Sequence, residues 1–153
     1  MTASTGTREN LTRREELAVS GAAISGAPWR TAGAAGIVAT GADLALHLLG
    51  GHLAIATSLS AGAVIFFAVA GGGALLRGRA SRAMVWARSN PWRFALLPGA
   101  ATAIVVFVLT VVLGSSGIVG GAFTSLWHGA VALGLTGLAG TVGGSKRRAG
   151  RVA

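Results

Sequence analysis

The sequence contains no cysteine, and this absence excludes disulfide bonds, thiolate metal sites and cysteine nucleophiles. Charge is scarce too, because only 11% of the 153 residues are charged and only four of them are acidic. A soluble domain carries about a quarter charged residues, so this chain has too little charge for a water-covered surface. By contrast, 52% of the residues are hydrophobic and 25 are glycine, a composition typical of closely packed membrane helices.

Four apolar segments occupy most of the chain, at about residues 31–50, 52–76, 91–114 and 118–144. Each reaches the roughly 20 residues that a helix needs to cross the hydrocarbon core of a bilayer. None shows the alternation expected of a transmembrane strand. The sequence therefore predicts an all-α polytopic membrane protein, with a bundle of four transmembrane helices at residues 29–144. The bundle is preceded by a polar tail at residues 1–28 and followed by a basic tail at residues 145–153. The polar tail is expected to be mostly disordered, with a short helix near residues 8–19.

The basic residues predict the orientation of these spans. All 13 lysines and arginines lie in the amino-terminal tail up to Arg30, in the connection between the second and third spans, or in the carboxyl-terminal tail. The other two connections contain none. The positive-inside rule then places both termini and the central connection in the cytoplasm, with the protein in the plasma membrane. Because topology and anionic lipid headgroups account for the positive charge, we expect a lipid partner and no nucleic acid.

Tryptophans and arginines beside the cytoplasmic ends of the spans are predicted to contact lipid headgroups. A short helix in the central connection is expected to lie in the interface, with Met84, Val85 and Trp86 dipping into lipid. A stripe of small residues on the fourth span, formed by Ala130, Gly134, Gly137 and Thr141, is expected to pack closely on a neighbouring helix. The predicted interfacial residues are Trp29, Arg30, Arg77, Arg79, Arg82, Trp86, Arg88, Trp92 and Arg93.

A few polar side chains interrupt the apolar segments. Asp43 and His47 are four residues apart on the first span and therefore share one helical face. At 1.5 Å per residue, Asp43 lies roughly 10 Å and His128 roughly 15 Å below the outer surface. Polar groups at such depth must face the bundle interior and find partners. We therefore predict one cluster in the outer half of the membrane, with His52 at its outer mouth; its members are Thr40, Asp43, His47, Ser125 and His128.

Several functions fit such a cluster. The first is a structural clasp in an accessory membrane protein that has no catalytic activity of its own. The second is proton-coupled transport through Asp43 and His128, since intramembrane carboxylates mark transport routes; four helices rarely enclose a pathway alone, so this predicts a homo-oligomer or a larger membrane partner. We expect no cofactor, but a redox role with haem or metal held by His47 and His128 stays open, as does an enzyme acting on lipid.

Two resemblances accompany this pattern. The span count and the position of Asp43 resemble the small four-helix multidrug transporters, although the one-sided basic bias departs from their antiparallel dimers. The segment "SNPWRF" before the third span, and Trp127 followed by His128 in the last span, are similar to uncharacterised small four-helix membrane proteins of high-GC Gram-positive bacteria. That second resemblance covers about residues 31–144 and implies the four-helix fold but no activity.

Overall fold

The computed structural model describes residues 12–77, 81–114 and 117–149, and these residues form helices joined by short connections. The helices are α1 (Arg13–Ser25), α2 (Trp29–Leu49), α3 (Ile55–Arg77), α4 (Arg82–Ser89), α5 (Pro91–Leu113) and α6 (Gly117–Ala149). Four of them, namely α2, α3, α5 and the Gly117–Gly143 part of α6, are long and apolar enough to cross a membrane. The predicted all-α class and the four long apolar helices are therefore confirmed.

The amino-terminal helix α1 begins later in the chain than the sequence predicts. Its start is determined by a capping box, in which the Glu15 N–H donates to the Thr12 hydroxyl and the Glu15 carboxylate accepts from the Thr12 N–H at 2.7 Å. Two hydrogen bonds to the Glu15 carboxylate, from the Thr12 N–H first and from the Thr12 hydroxyl second, lower the pKa of Glu15. The box therefore supports α1 at pH values above the ordinary pKa of a glutamate and weakens as the pH falls through the lowered value. Of the predicted mostly disordered tail at residues 1–28, residues 1–11 lie outside the described residues.

α1 and α4 lie across one end of the bundle, which we call the basic end because it carries Arg30, Arg77, Arg82, Arg88 and Arg93. The hydrophobic core of this end includes the buried side chains of Leu75, Met84 and Phe94. Arg88 of α4 also forms a hydrogen bond to α3, since its Nε donates to the Leu75 carbonyl oxygen at 2.9 Å. Leu75 lies in the last turn of α3, where main-chain carbonyls lack partners within the helix. The positive charge also suits the negative end of that helix.

The interfacial role predicted for Met84 is wrong. Met84 is only 2% exposed and packs in the core of the basic end, whereas Val85 is 61% exposed. Trp86 is half-buried and packs against the same core. The reason is the helical period: Met84 and Ala87, three residues apart, both point toward the other helices, so only the opposite face of α4 is left for lipid or water.

Glycines bring the long helices together in pairs. A Cβ on Gly62 of α3 would lie 2.8 Å from the Gly36 carbonyl oxygen of α2, and one on Gly36 would lie 3.1 Å from the Gly62 carbonyl oxygen. Gly99 of α5 and Gly129 of α6 are related in the same way, at 3.0 Å and 2.9 Å. Each pair of antiparallel helices thus crosses where neither backbone carries a side chain, which permits dense packing in a medium without hydrophobic driving force.

The predicted small-residue stripe of α6 is not its contact face. Ala130 and Thr141 are exposed, and a Cβ on Gly134 would meet no atom within 4 Å. Of that stripe only Gly137 makes a close contact, with the ring of Trp92. The face that packs is rotated by one residue, about 100° around the helix, and runs through Gly129, Ala132 and Thr136, all buried.

Substitution of Gly99 by alanine tests the α5–α6 crossing. The new Cβ would lie 2.9 Å from the Leu133 Cβ and 3.0 Å from the Gly129 carbonyl oxygen, so we expect the free energy of unfolding to fall by about 1–3 kcal/mol. Gly134→Ala is the matched control on α6, and it should be neutral or stabilising by up to about 1 kcal/mol because alanine favours helix. Unfolding in mixed micelles measures both variants. Equal effects of the two substitutions would contradict the assigned crossing.

Candidate functional site

Asp43 lies half-buried on α2 and contacts side chains from two helices. The Ser58 hydroxyl of α3 donates to Asp43 Oδ2 at 2.8 Å, and Ser58 itself is only 1% exposed. His47, one turn later on α2, has its Nδ1 3.1 Å from the same carboxylate oxygen. We call these residues, together with His52, the Asp43 cluster. Its hydrogen bond between Ser58 and Asp43 directly ties α2 to α3.

The contacts of His47 show which ring nitrogen donates a hydrogen bond. Nδ1 lies 2.9 Å from the main-chain oxygen of Asp43, which can only accept, so Nδ1 carries a hydrogen. The ring of His47 packs edge-on against that of His52, with centroids 5.0 Å apart. His52 is exposed in the connection between α2 and α3, so the cluster reaches the end of the bundle opposite the basic end.

His128 lies elsewhere, in a cavity of about 500 Å³ between α3, α5 and α6. We call this space the His128 cavity. Nδ1 of His128 is 2.7 Å from the main-chain oxygen of Thr124, which can only accept, so this nitrogen carries a hydrogen. The hydroxyls of Ser60 and Thr110 line the cavity and donate to carbonyl oxygens of their own helices. Their lone pairs can accept hydrogen bonds from a guest, and Nε2 of His128 can also bond to one.

The helix α3 separates the two sites. Ser58 belongs to the Asp43 cluster and Ser60 to the His128 cavity, and residues two apart point about 200° apart around a helix. The single cluster expected from the sequence is therefore divided: Asp43 contacts His47 and Ser58, while His128 bonds within α6. Ser125 likewise donates to the Ala122 carbonyl of its own helix.

Thr40 contributes to packing, because its hydroxyl lies over Gly62 of α3. Ser58 is the partner that sequence reasoning missed. A signal for it exists in the chain, since Asp43 and Ser58 lie at nearly equal distances on either side of the turn at Gly50 and Gly51. Antiparallel neighbours at equal distance from their connection lie at equal depth, so each polar residue of α2 can be matched with a candidate on α3.

The predicted interfacial residues lie at the basic end, with the exception of Arg79, which lies outside the described residues. Trp29 packs against Phe66, with ring centroids 5.9 Å apart, and Trp92 covers Gly137. Arg93 pairs with Glu16 of α1. Trp86 and Arg88 are half-buried, and the others are exposed: Trp29, Arg30, Arg77, Arg82, Trp92 and Arg93.

In the described part of the chain, His47 and His128 are not placed together as a metal or haem site requires. In residues 12–77, 81–114 and 117–149, no group of three or more histidine, aspartate or glutamate side chains is arranged to hold a metal ion. A haem held between two histidines needs both rings to face the iron from opposite sides. His47 and His128 lie at separate sites on different faces of α3, so this pair does not fit that requirement.

Substitution of Ser58 by alanine tests the tie between α2 and α3. It removes the donor to the Asp43 carboxylate, and we expect the free energy of unfolding to fall by about 1 kcal/mol, the scale of hydrogen bonds between membrane helices. Ser60→Ala is the matched control, because within the described residues that hydroxyl donates to the Ala56 carbonyl oxygen of its own helix and to no neighbouring helix. Hydrogen exchange of α2 amides should accelerate in the first variant alone. Similar acceleration in both would contradict the tie.

Comparison with known proteins assigns the chain to no family. The chain matches no family model, no curated protein and no solved structure. The resemblance to small four-helix proteins of high-GC Gram-positive bacteria, based on Ser89–Phe94 and on Trp127 with His128, therefore stays a prediction.

Proposed function

We propose that the protein is an accessory, structural protein of the plasma membrane with four spans, in which the Asp43 cluster acts as a clasp. The hydrogen bond from Ser58 to Asp43 Oδ2 carries this proposal. It joins the two helices of the first antiparallel pair at a depth where polar side chains need partners. On this view the carboxylate stabilises the bundle and takes no part in chemistry.

The packing of α2 explains why a clasp is needed there. Only Ala32 and Gly36 of α2 are buried, and α2 packs on α3 without comparable contact to another described helix. A span held by one glycine crossing has few dispersion contacts, and dispersion is the main attraction between helices in lipid. A hydrogen bond to Asp43 adds a directional contact that fixes the rotation of α2 on α3.

The proposed orientation has both termini in the cytoplasm. It is supported by the arginines of the basic end and by the absence of lysine and arginine from the connections at residues 50–54 and 114–116. Exposed Trp29 and Trp92 at the basic end suit the headgroup region, where indole rings are enriched. The His128 cavity then opens toward the outer side.

A second candidate function is proton-coupled transport, as a small transporter or a subunit of one, using His128 and Asp43. The His128 cavity favours it, because about 500 Å³ lined by hydroxyls and an imidazole can hold a small polar solute. Asp43 is on another face of α3, so it would act beside the cavity rather than in it. A complete pathway then requires further copies of the chain or a larger membrane partner.

The orientation can be tested with single cysteines, since the chain has none of its own. We expect a membrane-impermeant maleimide to label Leu53→Cys in intact cells, because Leu53 lies in the connection opposite the basic end and is 64% exposed. Ser89→Cys, exposed at the basic end, should react only after permeabilisation. The reverse pattern would overturn the proposed orientation.

Paired variants at Asp43 and His128 separate the two functions. For a clasp, Asp43→Ala should lower the free energy of unfolding by about 1 kcal/mol, and the loss should not add to that of Ser58→Ala because both remove one contact. His128→Ala should leave stability nearly unchanged, since its hydrogen bond is internal to α6.

The same variants in proteoliposomes with an imposed pH gradient test transport. Proton flux above that of empty liposomes, lost in His128→Ala, would favour the transporter over the clasp. Additive stability losses of Asp43→Ala and Ser58→Ala would contradict the clasp.

A further inference from the structure

A cavity of about 410 Å³ at the basic end has no part in either function proposed above. It lies between α1, α4 and α5, and Glu16, Ser20 and Arg93 are its polar lining residues. It is distinct from the His128 cavity, which lies at the other end of the bundle. We call it the α1–α5 cavity.

Polarity changes along the α1–α5 cavity in the direction of the membrane. Arg93, Leu96, Leu97 and Ala100 all line it, and these positions of α5 share one helical face. Ala100 lies about 10 Å further into the bundle than Arg93, at 1.5 Å per residue. The cavity is therefore charged at its mouth and apolar inside, which matches a molecule with a charged head and a hydrocarbon tail.

The hydroxyl of Ser20 is available to a guest. Ser20 is only 4% exposed and lines the cavity, and in the described part of the chain its hydroxyl is not among the buried side-chain atoms that lack a partner. A serine hydroxyl donates one hydrogen bond, so an acceptor oxygen of a guest in the cavity can receive a hydrogen bond from Ser20.

Arg93 provides the charge, but Glu16 already contacts it. The two form an ion pair, with the Arg93 side chain 64% exposed and that of Glu16 26% exposed. A guanidinium recognises a phosphate through two parallel hydrogen bonds as readily as it recognises a carboxylate. A phosphate entering the cavity must therefore displace the Glu16 carboxylate from Arg93.

We propose that the α1–α5 cavity binds one anionic phospholipid, and that Glu16 competes with its phosphate for Arg93. Arg93 and Ser20 contact the phosphate, and an acyl chain lies along Leu96, Leu97 and Ala100. The arginines of the basic end create a positive potential that favours a head group of net negative charge. The proposal rests on the membrane location proposed above.

Substitutions of the two members of the ion pair, Arg93 and Glu16, are expected to change lipid binding in opposite directions. Full-length protein in mild detergent is incubated with equal amounts of phosphatidylglycerol and phosphatidylcholine of the same chains, and the bound lipid is counted by native mass spectrometry. Arg93→Gln should lower the ratio of bound phosphatidylglycerol to phosphatidylcholine about fivefold. Glu16→Gln should raise it, because it frees Arg93. Arg14→Gln, on an exposed residue of α1 that does not line the cavity, should leave it unchanged.

Two further measurements test whether the bound phosphate belongs to a lipid or to a soluble ester, and whether the lipid occupies the α1–α5 cavity. Soluble glycerol phosphate should not displace the bound lipid, since it has no chain for the apolar interior. Ala100→Phe, which fills that interior, should reduce retention of both lipids. Displacement by glycerol phosphate would overturn the lipid assignment in favour of a free phosphate ester.

The lipid site is overturned if Arg93→Gln and Glu16→Gln change the lipid ratio in the same direction, because both break the ion pair and a purely structural pair predicts equal signs. An effect of Arg14→Gln as large as that of Arg93→Gln also overturns it, in favour of general surface charge. Alkaline extraction separates this proposal from the one it rests on. A protein released from membranes contradicts the membrane location, whereas a retained protein without lipid preference contradicts the lipid site alone.

Discussion

The close approach of helix backbones at two glycine pairs is the contact on which the rest of the bundle depends. In lipid, water does not drive helices together, so contact area and backbone proximity must supply the attraction. The crossing of Gly36 and Gly62 sets the distance between α2 and α3. Asp43 is two turns from Gly36, and Ser58 is one turn from Gly62, so this crossing also brings the carboxylate to the hydroxyl. The hydrogen bond from Ser58 to Asp43 thus follows from the glycine contact and adds a second contact between the same two helices.

α3 is the central element because it packs on α2, α5 and α6. Its polar side chains are distributed over different faces, with Ser58 toward α2 and Ser60 toward the His128 cavity. This arrangement gives the two histidine sites separate surroundings although both lie near the same end of the bundle. A carboxylate held by two protein partners suits a structural role, and an imidazole beside an open cavity suits a guest. The two candidate functions therefore belong to two places rather than to one cluster.

The two ends of the bundle differ in how they are packed. At the basic end, Phe94, Met84 and Ala87 are buried where α1 and α4 cover the spans, and Arg88 closes the last turn of α3. At the opposite end, the helices enclose the His128 cavity instead of a core. The two ends therefore differ in packing, with a hydrophobic core at the basic end and open space at the other.

The sequence by itself determined the helical class and the four long apolar segments, because segment length and hydrophobicity are local properties. It also determined that Asp43 and His47 share a face, since four residues make about one helical turn. Within an apolar segment, however, nearly every face is hydrophobic, so the pattern does not mark which one meets a neighbour.

Only the tertiary structure decided that Gly129 rather than Gly134 lies at the α5–α6 crossing, and that Met84 faces the core. It also decided that Asp43 meets Ser58 and not His128. The rotation of each helix about its axis follows from contacts between residues far apart in the chain, and those contacts exist only once the helices have packed.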